Sequence, residues 1–330
     1  MNKNYYEERV NRVLDYITQH PDGDLSLNNL ARISHFSTFH FHRIFQGITG
    51  ETVNNFVRRS RLERAAQLMK AAPARRITDI ALEVGFAGLA EFSRAFKAHF
   101  GIAASSWDRR APLEKSKICK APGDLVFYPL EELERLAKEA GLQVRVGRLD
   151  QCRYAYFRVF NSYGNERLVD AYHSLLNWLA ERQTDLNDVV LIGMSQDDPS
   201  ITPPEKCSYD MGIAFPKNTD PKNAENQGIV GEILKSRQRS NRGLQMPERS
   251  ECEPLGLTLR DFEAEALAVL HCVGDISVVG VAWQYLFRIW LPASGYQPAN
   301  APGFEVFVRT PEEIGWETFD LLGCLPIVRL

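Results

Sequence analysis

The stretch LSLNNLARISHFSTFHFHRIFQGITG, residues 25–50, decides the fold of the N-terminal part of this 330-residue chain. Its first part carries apolar residues at helical spacing, namely Leu27, Leu30, Ala31 and Ile33. Ser26 stands before this run, and serine is a preferred helix N-cap. After a break at His35 and Phe36, Ser37 stands before a second run with Phe41, Ile44 and Phe45 on its inner side. The pattern predicts two short helices joined by a tight turn.

The same pattern returns in ITDIALEVGFAGLAEFSRAFKAHFG, residues 77–101. The aligned pairs are Ala31 with Ala81, Phe36 with Phe86, Phe41 with Phe92, Arg43 with Arg94, Phe45 with Phe96 and Gly50 with Gly101. The second turn is one residue longer. An amphipathic run at 52–69 predicts a helix joining the two units, and Val10, Val13, Leu14 and Ile17 predict an earlier helix. We therefore expect an all-helical domain with two helix-turn-helix units over residues 1–110.

These residues resemble the AraC/XylS family of transcription regulators. The motifs that carry the resemblance are LSLNNLA, FHRIFQGITG, RLERAAQLM, ITDIALEVGF and EFSRAFKAHFG, within about residues 5 to 110. The resemblance implies a regulator that binds double-stranded promoter DNA, with RNA polymerase as a further partner. In such a unit the second helix enters the major groove, so two units on a rigid linker can read successive faces of one asymmetric site.

The resemblance also places base-reading positions on the second helix of each unit. In the first unit they are Thr38, Phe39, His42 and Arg43, and in the second Leu89, Ala90, Glu91 and Arg94. An arginine can pair with guanine O6 and N7, and an aromatic ring can pack on a thymine methyl group. Leu89 and Ala90 cannot donate hydrogen bonds to bases. We therefore expect the first unit to read sequence and the second to act mainly as an anchor.

The net charge also differs between the N-terminal part and the remainder of the chain. Residues 1–110 contain sixteen Lys and Arg against eleven Asp and Glu, a net +5, and the remainder carries −8, which together give the chain's −3. A basic N-terminal part is typical of a domain that binds DNA. The arginines expected to contact phosphates are Arg58, Arg59, Arg61, Arg64, Arg75 and Arg76.

A connector rich in proline at 111–143 leads to a second duplication. The segments RYAYFRVF, LIGMSQDDPSITPPEK and CSYDMGIAFP are followed, after a polar insertion at about 217–254, by ALAVLHCVGD, FEVFVRTPEE and ETFDLLGCLPIV. The alignment pairs Trp178 with Trp290, Ile192 with Phe304, Asp210 with Asp320 and Pro216 with Pro326. Each half is predicted to be strand-helix-strand-strand, and two halves are expected to pair about a pseudo-twofold axis. The fold class is thus multidomain, α followed by α+β.

Residues 144–330 resemble the gyrase-inhibitor-like (GyrI-like) effector-binding domain, most specifically in DDPSITPPEKCSYD and GFEVFVRTPEE. The resemblance places a ligand-binding glutamate at Glu305, and the other half has Gly193 at that position. Strand alternation predicts Glu305 and Phe307 on the ligand face, with Phe304, Val306 and Val308 against the helices. Tyr156 either lines the same seam or packs in the core. A carboxylate among aromatic rings suits a cationic or amphipathic small molecule.

Two other functions stay open for this sequence. One is a ligand-independent activator whose C-terminal domain binds a protein, and the other is a small-molecule hydrolase that uses Glu305. We expect regulation rather than catalysis. No cofactor is expected, and His35, His40 and His42 lack the carboxylate or Cys partners of a metal site. Six scattered Cys are expected to be reduced, and a cytoplasmic protein without a membrane span is expected.

Overall fold

A computed structural model describes residues 3–107, 109, 126–162, 167–199, 201–217, 228–236 and 245–329. Its N-terminal part is helical. The helices are α1 (Lys3–Gln19), α2 (Leu27–Ile33), α3 (Thr38–Thr49), α4 (Val53–Ala71), α5 (Ile77–Glu83) and α6 (Leu89–Phe100). Ser26 and Ser37 cap α2 and α3 as their sequence positions predict, since each side chain accepts a backbone N–H three residues further on. The predicted all-helical double helix-turn-helix is confirmed.

The turns of the two units use equivalent residues in the left-handed region. His35 has φ 55° and its counterpart Gly85 has φ 87°. A Cβ on Gly85 would lie 2.5 Å from the carbonyl oxygen of Pro21, so the second turn requires glycine for space as well as for conformation. The N-cap position of the next helix is Ser37, one residue after Phe36, in the first unit and Gly88, two residues after Phe86, in the second.

Each unit has its own apolar core. Val10, Val13, Leu14 and Ile17 of α1 are buried against Phe41 and Phe45 of α3 in the first core. Leu62, Leu68 and Met69 of α4 are buried against Phe92 and Phe96 of α6 in the second. Burying a side chain of this size contributes roughly 1.5–3 kcal/mol, so each recognition helix is held by its phenylalanines. Helix α4 packs in both cores, through Val53 and Val57 in the first, and so joins the units.

The C-terminal part contains the two predicted repeats. The first half is β1 (Val144–Phe160), α8 (Arg167–Glu181), β2 (Val190–Ser195) and β3 (Ser208–Pro216), preceded by α7 (Leu130–Glu139). The second is β4 (Thr258–Gly274), α11 (Ile276–Tyr285) with its continuation to Ser294, β5 (Tyr296–Pro298), β6 (Phe304–Phe307), α12 (Pro311–Ile314) and β7 (Phe319–Arg329). Between the halves lie α9 (Ile229–Ser236) and α10 (Arg249–Cys252). The duplicated strand-helix-strand-strand plan is confirmed, with β5 as an addition.

The strands form one antiparallel sheet in the order β4-β1-β3-β2-β6-β7-β5, and an additional pairing of β4 with β7 closes six of them into a ring. The two halves meet where β2 pairs with β6, and there Gly193 lies directly opposite Glu305. On its other side Glu305 faces Gly323 of β7. Residues that the duplication makes equivalent are therefore neighbours at the pseudo-twofold axis.

The orientation expected for β6 is wrong. Phe304 and Val306 pack with Tyr154 and Tyr156 on one face of the sheet, covered by α9 rather than by the two repeat helices. Phe307 packs on the other face with the residues of α8. Strand alternation separates the two sets correctly, but it cannot say which face receives which helix.

Helix α9 lies inside the segment expected to be an exposed polar insertion. Its residues Ile229, Val230, Ile233 and Leu234 are buried against β1 and β2. Residues 218–227 and 237–244 of that segment, and residues 110–125 of the connector, lie outside the described residues. The apolar run of the insertion is thus part of the core. Helix α7 of the connector likewise buries Leu133 and Ala137 beside α11.

In the described part of the chain, the helix Ile276–Ser294 has the length and apolar composition of a membrane span. Its residues Val279, Ala282, Leu286 and Leu291 are buried against β4 and β7. The cysteines of the described residues, Cys152, Cys207, Cys252, Cys272 and Cys324, are free and buried.

Candidate DNA-binding faces and effector site

The outer face of α3 presents the side chains expected to read bases. Phe39 is 73 % exposed, an unusual state for a phenylalanine, and Thr38 and Arg43 are exposed beside it. The Arg43 guanidinium lies 5.8 Å from the Phe39 ring centre, while His42 is half-buried. The four residues thus share one side of a helix whose opposite side, with Phe41 and Phe45, is buried.

The predicted residues on the outer face of α6 include fewer polar side chains than those on α3. Leu89 is 42 % exposed, and Ala90, Glu91 and Arg94 are exposed with it. Glu91 accepts the backbone N–H of Ala87, in the turn before α6, at 3.3 Å. Arg94 is the cationic side chain of the predicted set on this helix.

The structure corrects the set of arginines expected to contact phosphates. Arg59 is buried and bonds Glu51 and Glu63. Arg64 donates to the carbonyl oxygen of Pro298, in the C-terminal part, at 2.8 Å. Arg75 bonds Gln297 at 2.7 Å and also pairs with Glu83. These three arginines therefore bond other residues of the protein. Arg61 donates to the carbonyl oxygen of Pro21 in its own domain. Arg58 and Arg76 stay exposed.

Glu305 lies on β6 between two aromatic side chains. The Tyr209 hydroxyl donates to Oε2 at 2.5 Å, and the Trp283 indole N–H donates to Oε1 at 2.9 Å. Tyr209 comes from β3 and Trp283 from α11, so the two halves of the duplication both supply a donor. Both donors are neutral. Sequence reasoning missed both residues, because Trp283 is indistinguishable from a core tryptophan and Tyr209 becomes a neighbour only once β3 pairs with β2.

Two glycines make this arrangement possible. A Cβ on Gly193 would lie 1.8 Å from the Tyr209 hydroxyl, so the phenol reaches Glu305 across a position that must lack a side chain. A Cβ on Gly303 would lie 2.8 Å from the Trp283 ring. The glycine that replaces the glutamate in the first repeat therefore makes room for the tyrosine.

The electrostatic state of Glu305 is that of a carboxylate without a charged partner. Among the described residues, no Lys, Arg or His forms an ion pair with it. Burial raises the pKa of Glu305 above its ordinary value, and the bonds from Tyr209 and Trp283 oppose this rise only in part. A carboxylate that is desolvated and uncompensated attracts a cation, and the two rings offer their negative faces to it.

The other two residues expected at the effector site are placed differently. Phe307 lies on the same face as Glu305 and is 6 % exposed, packed among side chains of α8. Tyr156 lies on the opposite face, fully buried, and its hydroxyl bonds Asp15 at 2.7 Å. The structure therefore does not bring Tyr156 together with Glu305. Its place is in the core and at the contact with α1.

Two cavities lie where the helical part meets the C-terminal part. One, of about 100 Å³, is lined by Arg59, Glu63, Arg158 and Asp197 among others. The second, of about 500 Å³, is an open cleft lined by Arg12, Asp15, Tyr16 and Arg260 among others. Glu305 lines neither cavity, so the contact between the two parts of the chain is a polar region separate from the carboxylate site.

A pair of exposed recognition helices beside a duplicated α+β domain is the architecture of a DNA-binding protein with an attached ligand-binding domain. Comparison with known families agrees with this class. A family profile described as a helix-turn-helix domain matches residues 30–110, and one described as a GyrI-like small molecule binding domain matches residues 142–321. The chain therefore belongs to the GyrI-like family, and its N-terminal part is an AraC-type helix-turn-helix domain.

Individual relatives match the N-terminal part. The uncharacterized HTH-type transcriptional regulator YbfP of Bacillus subtilis is 39% identical over 93 residues, 28% of this chain and 31% of the relative. The right origin-binding protein of Escherichia coli K12 is 34% identical over 103 residues, 31% of this chain and 35% of the relative. The chain thus spans about a third of the length of these curated relatives. Among solved structures, the EcmrR C-terminal domain is 12% identical, covering 57% of this chain and 99% of that one at a TM-score of 0.35.

Proposed function

We propose that this protein regulates transcription by binding promoter DNA through α3 and α6 and a small organic cation at Glu305. The effector site rests on one observation above all: Glu305 is partly buried, held by two neutral donors, and has no cationic partner among the described residues. A carboxylate in this state costs folding energy, which a protein tolerates where a ligand supplies the missing charge.

The chemistry of the site defines the class of ligand. A single carboxylate compensates one positive charge, and the duplication supplies Gly193 in place of a second carboxylate. Indole and phenol rings favour a diffuse cation such as a quaternary ammonium over a strongly hydrated one, because the latter loses more hydration energy on burial. We therefore propose an aromatic or amphipathic monocation as the effector.

Thermal unfolding of the full chain tests this proposal with benzyltrimethylammonium as the probe. A ligand that binds the folded state raises the melting temperature by mass action. We expect the probe to raise the melting temperature of the wild type and to have a much smaller effect on Glu305→Gln, in which the shape and both donors remain. Glu317→Gln removes an exposed carboxylate from the same domain and is the matched control. Equal shifts in all three proteins would show that the cation does not use Glu305.

The DNA part of the proposal rests on the exposed set on α3, above all Phe39 and Arg43. An exposed phenylalanine beside a guanidinium is unfavourable in water and useful against a base edge and a thymine methyl group. A duplex selected from a random library with the full chain would provide the specific site. Contact with RNA polymerase is a further part of this proposal, tested by transcription in vitro from a promoter carrying the selected site.

A further inference from the structure

Helix α1 of the helix-turn-helix domain is fixed to the C-terminal sheet at Asp15. Its carboxylate accepts hydrogen bonds from the Tyr156 hydroxyl at 2.7 Å, from Arg158 Nη2 at 2.8 Å and from Arg260 Nη1 at 3.0 Å. All three donors belong to β1 or β4, and Asp15 is only 7 % exposed. Charge-assisted hydrogen bonds of this kind are about twice as strong as neutral ones. The position of α1 therefore depends on where these donors are held.

Arg158 is held by a second carboxylate. Its Nε bonds Asp210 Oδ1 at 2.6 Å, and its Nη2 bonds Asp210 Oδ2 at 2.7 Å. The side chain of Arg158 is 2 % exposed and that of Asp210 is fully buried. Because a guanidinium is planar and its donors are rigidly arranged, a change in the position of Asp210 changes the direction in which Arg158 meets Asp15.

Asp210 is the neighbour of Tyr209 in β3. Successive side chains of a strand point to opposite faces, so Tyr209 reaches Glu305 on one face while Asp210 holds Arg158 on the other. The donor to Glu305 and the carboxylate that orients Arg158, the residue that bonds Asp15, are thus consecutive in the chain. Helix α1 continues the connection, because it shares a core with Phe41 and Phe45 of the recognition helix α3.

We infer that a cation at Glu305 changes the placement of α3 through the connected residues Tyr209, Asp210, Arg158 and Asp15. This inference rests on the proposed effector site. A cation near Oε2 competes with the Tyr209 hydroxyl for the carboxylate. The resulting shift of β3 at Tyr209 moves Asp210 and loosens or redirects the bond from Arg158 to Asp15. The ligand therefore has unequal affinity for two arrangements of α1, which is the condition for allosteric control.

The second repeat contains a matched comparison. Asp320 is the counterpart of Asp210 and bonds His271 Nε2 at 2.7 Å and Arg309 Nε at 2.5 Å. Within the described residues, neither His271 nor Arg309 bonds a residue of the helix-turn-helix domain, and both side chains are about half exposed. The duplication thus provides a second carboxylate–arginine pair without the link to α1.

Hydrogen–deuterium exchange of the full chain tests the connection without any ligand. Tyr209→Phe removes only the hydroxyl that bonds Glu305. We expect amide exchange in the segment Lys3–Gln19 to be faster than in the wild type by about fivefold or more. A factor of about five corresponds to the lower end of usual allosteric coupling energies. Tyr172→Phe removes the equivalent atom from a tyrosine that bonds Glu312 within the C-terminal domain and is the matched control. Unchanged exchange in α1 of Tyr209→Phe overturns the inference.

A thermodynamic cycle then measures the coupling itself. The Kd of the selected duplex is determined with and without saturating benzyltrimethylammonium for the wild type, Asp15→Asn and Asp320→Asn. We expect the probe to change the Kd of the wild type and of Asp320→Asn by about fivefold or more, and that of Asp15→Asn by less than about twofold.

The outcomes separate this inference from the proposed function. If Glu305→Gln still binds the probe as the wild type does, the proposed effector site is wrong. If the probe binds through Glu305 but Asp15→Asn keeps the full effect on DNA, the effector site stands and the connection through Asp15 is wrong.

Discussion

Gly193 and Glu305 lie directly opposite each other where the two repeats meet, and the absence of a side chain at Gly193 allows Tyr209 to bond Glu305. The two positions are equivalent in the duplication but have acquired complementary roles. One carries the charge, and the other provides the space through which a neutral donor reaches that charge. The carboxylate site is therefore built by both repeats.

Substituting Gly193 tests this relationship. In Gly193→Ala the new methyl group would overlap the Tyr209 hydroxyl, so the phenol must leave Glu305 or the strands must separate. We expect the free energy of unfolding in urea to fall by about 1–3 kcal/mol, as for other overpacked sites. Gly280→Ala is the control, because a Cβ there meets nothing within 4 Å. In a Tyr209→Ala background the cost of Gly193→Ala should largely disappear, and a cost that persists would place the strain elsewhere.

The pKa of Glu305 predicts the pH dependence of effector binding. Burial holds this pKa above the ordinary value in the free protein, whereas a bound cation lowers it. Binding therefore releases a proton where the free carboxyl is still protonated. We expect the affinity for benzyltrimethylammonium to rise with pH, by up to about tenfold per pH unit, until the free carboxyl is ionised, and to level off above that point. Titration calorimetry in buffers of different ionisation enthalpy measures the released proton, and an affinity that falls as pH rises would contradict the assignment.

Local patterns predicted the helices because their determinants lie close together in sequence. Ser26, Ser37 and the phenylalanines of α3 act within one or two turns. The repeats predicted the order of the strands in the same way. Which face of β6 receives α8, or that Ile229–Ser236 is a buried helix, depends on packing between distant segments, which no local pattern records.

The candidate sites could likewise be predicted only where their residues lie within a local sequence motif. Glu305 and the outer face of α3 follow from motif positions. Tyr209 is 96 residues from Glu305 in the chain and Asp15 is 143 from Arg158, so neither contact has a signature in sequence spacing. Arg59 shows the converse error. Its position in a basic run suggested a phosphate contact. In the structure it forms ion pairs instead, with Glu63 one turn away and with Asp197 of the C-terminal domain.

Glu63 predicts a second pH dependence, this one of stability. Burial raises its pKa to about 7, and the charge of Asp197 adds to the effect while Arg59 opposes it. The folded state therefore binds a proton that the unfolded chain, with an ordinary pKa, has lost. Stability is highest at low pH in this respect, falls as pH rises from about 4.5 to about 7, and is then constant.

The substitution Glu63→Gln removes this dependence. We expect the variant to exceed the wild type in free energy of unfolding by about 1 kcal/mol or more at pH 8, with a difference that shrinks toward pH 5. Urea unfolding at both pH values measures it. Asp79→Asn, at an exposed carboxylate of the same domain, is the control. A variant that is less stable than the wild type at pH 8 would show that the ion pair between ionised Glu63 and Arg59 stabilises the fold by more than the burial of the charge destabilises it.

Arg43 and Arg94 occupy equivalent positions on the two recognition helices and allow base reading to be separated from anchoring. Arg43 lies beside exposed Phe39, whereas Arg94 lies one turn from Leu89 and Ala90, which offer no hydrogen-bond donors. Loss of a bidentate contact to guanine costs about 1–3 kcal/mol at one base pair, whereas loss of a phosphate contact weakens all sequences alike.

We therefore expect Arg43→Ala to weaken binding to the selected duplex by about tenfold more than binding to a scrambled duplex. Arg94→Ala should weaken both to a similar extent and reduce the slope of log Kd against log salt concentration by about one. Fluorescence anisotropy over a series of salt concentrations measures both quantities. A loss of discrimination in Arg94→Ala equal to that in Arg43→Ala would show that the second unit reads bases as well, despite the apolar residues at the start of α6.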